Sequence, residues 1–140
     1  MTVIIHTDGG SRNNPGDAGL GVHIARSGTV LAEISEYLGK QTNNYAEYMA
    51  VIRALEWCLD HRLTDRPISL YMDSKLVVEQ VSGRWKVKEP TLRPLVARVR
   101  ELAAAFPEIM FAHVPRAHNK DADRLANEAM DRKQLGVVIH

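Results

Sequence analysis

The hydrophobic pattern changes its period once, at Thr42, and that change dictates the architecture. Before it the chain is built of β-rich runs. Val3-Ile4-Ile5-His6-Thr7-Asp8 stops at Gly9-Gly10 and is followed by turn chemistry from Ser11 to Gly16. Gly19 to Ala25 and Thr29 to Leu38 are two further strand-like runs, and Arg26-Ser27-Gly28 between them suits a short hairpin loop. From Thr42 to about His61, alanines, leucines and long side chains recur at helical spacing behind the capping candidates Thr42, Asn43 and Asn44. Strand and helix then alternate: a strand over Ile68 to Met72, helices over Lys75 to Val81 and Pro90 to Phe106, a strand over Ile109 to Val114, and a helix from Asn119 to about Lys133.

The order βββαβααβα predicts an α/β fold with a five-stranded mixed sheet: an antiparallel meander, parallel strands starting near Val3, Ile68 and Ile109, and helices flanking the sheet. At 140 residues and 45% hydrophobic the chain suits one domain, expected over residues 1–132 with an apolar tail at 133–140. Such a domain removes roughly 65–70% of its unfolded surface from water and needs no disulfide. The lone Cys58 has no partner and no CxxC spacing, so it reads as a core residue in a reducing compartment. Apolar runs reach about five residues where a membrane span needs about 20, and no basic leader precedes Asp8, so the expected location is cytoplasmic and the expected state a monomer.

Two strands end alike. Asp8 follows Ile4 and His6 at period two, and Asp73 follows Ser69 and Tyr71, each acid standing where its strand meets a loop. Ligands gather at the carboxyl ends of parallel strands, so these acids can converge, although Asp before Gly or Ser is also ordinary turn chemistry. Glu47 heads a helical stripe of Val51, Ala54 and Cys58; a capping box from Asn44 to Glu47 is the competing reading. Asp123 opens the last helix beside Ala122, Leu125 and Ala126, where the helix dipole also favours an acid. Four carboxylates in one cleft would repel one another unless divalent cations compensated them, and oxygen-only ligands select hard ions such as Mg²⁺ or Mn²⁺. The six histidines have no zinc spacing.

In this order the chain carries Thr7-Asp8-Gly9-Gly10-Ser11, Asn14-Pro15-Gly16, Thr42-Asn43-Asn44-Tyr45-Ala46-Glu47, Met72-Asp73-Ser74 and Asn119-Lys120-Asp121-Ala122-Asp123-Arg124-Leu125-Ala126-Asn127. The set, spanning about residues 2–130, resembles type 1 ribonuclease H. The resemblance implies a ribonuclease H-like fold and hydrolysis of the RNA strand of RNA–DNA hybrids, leaving 5′-phosphate and 3′-hydroxyl ends. It implies Asp8, Glu47, Asp73 and Asp123 as ligands of two Mg²⁺ ions, with Mn²⁺ as a substitute. Asp8 would bridge the pair, Glu47 and Asp73 would flank one ion, and Asp123 would complete the other. His118, on the loop before Asp123, is implied in proton transfer or product departure.

A sequence-tolerant reader of hybrids needs contacts across the minor groove. The resemblance places Asn14, Asn44 and Thr42 at such contacts, with Asn43 and Ser74 beside them. Arg84 to Arg100 carries a local charge of +5 against a total of +1, so the rest of the chain is −4. There Arg84, Trp85 and Lys86 resemble the family's hybrid-binding region, while Arg93, Arg98 and Arg100 read as a solvated helix face. The Lys75-to-Pro90 stretch is compact, which predicts marked salt sensitivity. Gly16-Asp17-Ala18-Gly19-Leu20-Gly21 runs opposite to the dinucleotide fingerprint and precedes a strand, which excludes that reading. Two alternatives stay open in the sequence: a catalytically silent hybrid-binding or double-stranded-RNA-binding module, and duplex RNA as an additional substrate.

Overall fold

The computed structural model describes residues 1–140. Strands β1 (Val3–Ser11), β2 (Gly16–Arg26) and β3 (Thr29–Gln41) form the expected meander, with β1 and β2 in register from Val3 opposite Arg26 to Ser11 opposite Ala18. β4 (Ile68–Met72) adds to β1 in parallel, from Val3 opposite Ile68 to Thr7 opposite Met72, and β5 (Ile109–His113) adds to β4 in parallel.

The sheet has six strands where five were expected, in the order β5-β4-β1-β2-β3-β6. The sixth, β6 (Gly136–Ile139), pairs antiparallel with the edge of β3. Its residues are exposed on both faces, Val137, Val138 and Ile139 at 47%, 52% and 60%, so no buried face imposes the period-two alternation that would reveal a strand.

Four helices flank the sheet: α1 (Asn43–Asp60), α2 (Lys75–Val81), α3 (Arg93–Ala103) and α4 (Lys120–Arg132). Thr42 caps α1, its Oγ1 accepting from the Tyr45 N–H at 3.1 Å. Glu47 therefore lies two residues beyond the third helical position, and the Asn44–Glu47 capping box does not form. The helix expected from Pro90 breaks into a 3₁₀ turn over Pro90–Leu92 and then α3, because Pro94 brings no N–H and suits only a first helical turn.

The main core lies where α1 and α3 meet the sheet and includes Val3, Ile5, Tyr48, Val51, Leu55, Leu70 and Val99. On the opposite face α4 buries Ala122, Leu125, Ala126, Ala129 and Met130. Cys58 is buried in the main core, as expected for a free thiol with no partner. No helix is long and apolar enough to cross a membrane.

Candidate active site

Parallel pairing of Thr7 with Met72 brings the next residue of each chain segment, Asp8 and Asp73, to the same level. Asp73 follows the end of β4, whereas β1 does not stop at Asp8 as expected but runs on to Ser11, because β2 continues to pair with it as far as Ala18. Two glycines bring the helices to them. A Cβ at Gly9 would lie 2.3 Å from the Ala46 carbonyl carbon and 2.4 Å from the Glu47 nitrogen, so only a bare Cα lets α1 sit on β1 and deliver Glu47 beside Asp8. Gly21 is directly opposite Asp8 on β2, so the two share a face. A Cβ there would lie 2.1 Å from the Ala122 carbonyl oxygen, so Gly21 admits α4, and Asp123 with it, on that face. Buried Asn119, just before α4, donates from Nδ2 to the Thr7 carbonyl at 2.9 Å and ties the helix start to the peptide preceding Asp8.

Carboxylate oxygens of Asp8, Glu47 and Asp73 lie within 4.8 Å of one another. Asp123 lines the same open cleft of about 410 Å³, with Arg116 donating to its Oδ1 at 3.3 Å. Burial, followed by the charges of Asp73, Asp123 and Glu47, pushes the Asp8 carboxyl up from 3.8 to about 8. Glu47 rises from 4.5 to about 7, chiefly through burial, with Asp73 adding to the rise and a hydrogen bond from Ser74 opposing it. Four acids with no lysine among them, held so that two resist ionising near neutral pH, form an all-oxygen donor set that fits hard divalent cations.

The other expected residues divide into three groups. Asn14, Asn43, Thr42 and Ser74 brace the cleft: the Asn43 N–H donates to Asn14 Oδ1 at 3.0 Å, Asn43 Oδ1 accepts from the Ser11 N–H at 2.7 Å, and Ser74 caps α2 through Val77 at 3.3 Å. Asn44 is half-exposed on the first turn of α1. Arg84, Trp85 and Lys86 lie apart, on a second depression of about 650 Å³ that Arg93 and Arg100 also line. Arg93 and Arg100 are exposed, as a solvated helix face requires, and half-buried Arg98 is bonded to Glu56 and Glu101. Arg84 is paired with Glu79 at 2.6 Å, Trp85 is 45% exposed, and Lys75 Nζ stands 5.9 Å from its ring centroid.

His118 is exposed on the 3₁₀ turn Arg116–His118 and does not line the cleft; Arg116, from the same turn, does. Arg12 also lines it, held by Asp131 at 2.8 Å and Asn127 at 3.2 Å. Sequence reasoning missed both arginines. Arg116 stands two residues before His118 in one cationic loop, and only the turn decides which side chain faces the acids.

A mixed sheet with helices on both faces and an acid-lined cleft where β1 and β4 stop pairing defines an α/β domain of the ribonuclease H-like class. A family described as "Reverse transcriptase-like" matches residues 6–129. The chain is 51% identical over 133 residues to "Bifunctional protein Rv2228c" of Mycobacterium tuberculosis (strain ATCC 25618 / H37Rv), a match covering 94% of this chain and 36% of that protein. It is 46% identical over 130 residues to "Ribonuclease HI" of Halobacterium salinarum (strain ATCC 700922 / JCM 11081 / NRC-1), covering 92% of this chain and 64% of the relative. The chain thus spans less than two thirds of the length of either. Among solved structures, LC11-RNase H1 in complex with RNA/DNA hybrid superposes with a TM-score of 0.89 at 46% identity, covering 94% of this chain and 98% of that one. The chain belongs to the ribonuclease H family.

Proposed function

We propose that this chain is an endonuclease that hydrolyses the RNA strand of RNA–DNA hybrids, using two divalent cations held by Asp8, Glu47, Asp73 and Asp123. The observation that carries the reading is the meeting of three carboxylates from three separate elements within 4.8 Å. Two Mg²⁺ ions, or Mn²⁺, supply a phosphodiester with an activated water on one side and a neutralised leaving oxygen on the other, leaving 5′-phosphate and 3′-hydroxyl ends.

The protein's part is to hold the donors rigid; bound cations would favour the ionised form of Asp8 and Glu47 that burial and mutual repulsion oppose. Asp8 stands among the other three acids, Ser74 orients Glu47, and Arg116 holds Asp123. Asn43 lines the cleft, and in this reading it serves the minor groove together with Asn14, Thr42, Asn44 and Ser74, while Arg84, Trp85 and Lys86 serve the DNA backbone. The relative solved with an RNA/DNA hybrid supports that partner for this chain. His118 is assigned to proton transfer or product departure from the rim. All these residues lie within residues 1–132, the unit to which we assign the activity. The buried Cys58 thiol, pushed up to about 12 by desolvation, suits a monomer in the reducing cytoplasm.

The test is cleavage of end-labelled RNA–DNA hybrid, RNA duplex, DNA duplex and single strands with Mg²⁺, Mn²⁺ or chelator. Only RNA paired to DNA should be cut efficiently, only with metal, and Asp73→Asn should lose at least about a hundredfold in rate, since it removes a charged ligand. Cutting of DNA duplex, or undiminished cutting by Asp73→Asn, overturns the reading. Binding without cutting by the unaltered chain would instead establish the silent module.

A further inference from the structure

We propose that Arg26, Arg62 and Arg66, with the stacked pair Trp57 and His61, form a nucleoside-phosphate site at the end of the sheet opposite the acidic cleft. Arg26 ends β2 opposite Val3, five residues back along β1 from Asp8, or about 17 Å at about 3.4 Å per residue. Trp57 lies ten residues beyond Glu47 on α1, about 15 Å at about 1.5 Å per residue. The residues line a depression of about 350 Å³, and Arg26 and Arg66 extend into an adjoining one of about 320 Å³. Both volumes fall within the range of about 300–1,000 Å³ common for small-molecule sites. This site lies beyond the hybrid-cleaving reading and does not depend on it.

Three observations point to a phosphate with a planar group attached. First, no side-chain carboxylate lines either depression, in a chain whose charge outside residues 84–100 is −4. Arg66 pairs only with neighbouring Asp65 at 3.4 Å, and Arg26 and Arg62 form no ion pair, so two guanidinium forks are free for phosphate oxygens. Second, a flat platform stands beside them. The His61 and Trp57 rings stack at 3.8 Å between centroids and 14° between planes, and His61 Nδ1 donates to the Trp57 carbonyl at 2.8 Å, which fixes the ring. His61 is exposed, so a base can extend the stack from solvent. The Trp57 Nε1–H is buried and has no acceptor within the protein.

Third, Arg62 occupies a position where its side chain is a liability to the fold. The Leu63 N–H donates to the Cys58 carbonyl at 2.9 Å and the Arg62 N–H to the Leu59 carbonyl at 3.1 Å, the two bonds of a Schellman ending. Arg62 is the left-handed residue of that motif, at φ 59°, where glycine is the favoured occupant. An exposed arginine kept there, lining a depression with no side-chain carboxylate, is explained by what the guanidinium binds.

Trp57 and Trp85 are the only tryptophans, so two indole N–H resonances report the two depressions separately, assigned by Trp57→Phe. The unaltered chain, free of divalent metal, is titrated with adenosine monophosphate and then with a single-stranded RNA octamer. If the nucleotide alone moves the Trp57 resonance, the source is a free nucleotide; if only the octamer moves it, the source is an unpaired strand end. In either supporting outcome Arg62→Gly weakens the response about fivefold or more while the variant melts no lower than the parent. A silent Trp57 resonance with both ligands, or an equal response in Arg62→Gly, overturns the site. Neither readout involves cleavage, so failure here is distinct from failure of the nuclease reading.

Discussion

Replacing Asp8 by asparagine should stabilise the metal-free protein at pH 8, and by much less at pH 5. The folded state raises this carboxyl from 3.8 to about 8, so between those values it binds a proton that the unfolded chain releases. Stability from this group is therefore fully present below pH 3.8 and is lost as pH rises towards 8. At 1.36 kcal/mol per pH unit the full displacement corresponds to a ceiling of about 6 kcal/mol. Water enters the open cleft and the neighbouring acids relax once one charge is gone, so about 2–3 kcal/mol is the expected gain. In a domain of this size that raises the melting temperature by about 5–10 °C. Circular dichroism melts in chelator, for the parent and Asp8→Asn at pH 5 and pH 8, measure it directly. Mg²⁺ should raise the melting temperature of the parent at pH 8 and move the variant far less, because asparagine brings no charge to the ion. A parent whose metal-free stability is flat from pH 5 to pH 8, or a variant no more stable than the parent at pH 8, refutes the account of a cleft held together against its own charge.

Gly21→Ala places a methyl group 2.1 Å from the Ala122 carbonyl oxygen, so α4 must move; we expect about 2–4 kcal/mol of destabilisation in urea unfolding and a loss of hybrid cleavage out of proportion to the unfolded fraction, as Asp123 withdraws. Lys86→Ala removes an exposed cation that has no ion pair, and should lower the slope of log K against log salt for hybrid binding by about 1, with cleavage at saturating substrate unchanged.

Much of the fold is legible because its information is periodic. Alternation in β1 and β4 puts Asp8 and Asp73 side by side where the two strands stop pairing, and the stripe of Val51, Ala54 and Cys58 puts Glu47 on a buried face. Capping rules narrow the start of α1 to three candidates, and only the hydrogen bond from the Tyr45 N–H decides for Thr42. What stays hidden depends on contacts between segments far apart in the chain. Nothing local in Thr7-Asp8-Gly9 says that Gly9 is vacant for the backbone of Ala46 and Glu47, or that Gly21 is vacant for Ala122. β6 escapes because exposure removes its pattern, and Arg116 because a single turn separates its direction from that of His118.

The same distant contacts explain how four mutually repelling acids can be placed at all. The devices that converge them act on backbone: a bare Cα under α1, another under α4, and the Asn119 amide on the Thr7 carbonyl. None uses a carboxylate as a strut. Asp8 and Glu47 are therefore passengers whose repulsion the scaffold bears, and replacing either by its amide relieves that repulsion without removing support. A scaffold of this kind separates two quantities that often change together: affinity for divalent cations depends on the side chains, whereas the geometry awaiting the cations depends on glycines and helix starts. Substitutions should divide accordingly, with Asp8→Asn and Glu47→Gln abolishing cation binding in a protein at least as stable as the parent, and glycine substitutions lowering stability and cation affinity together.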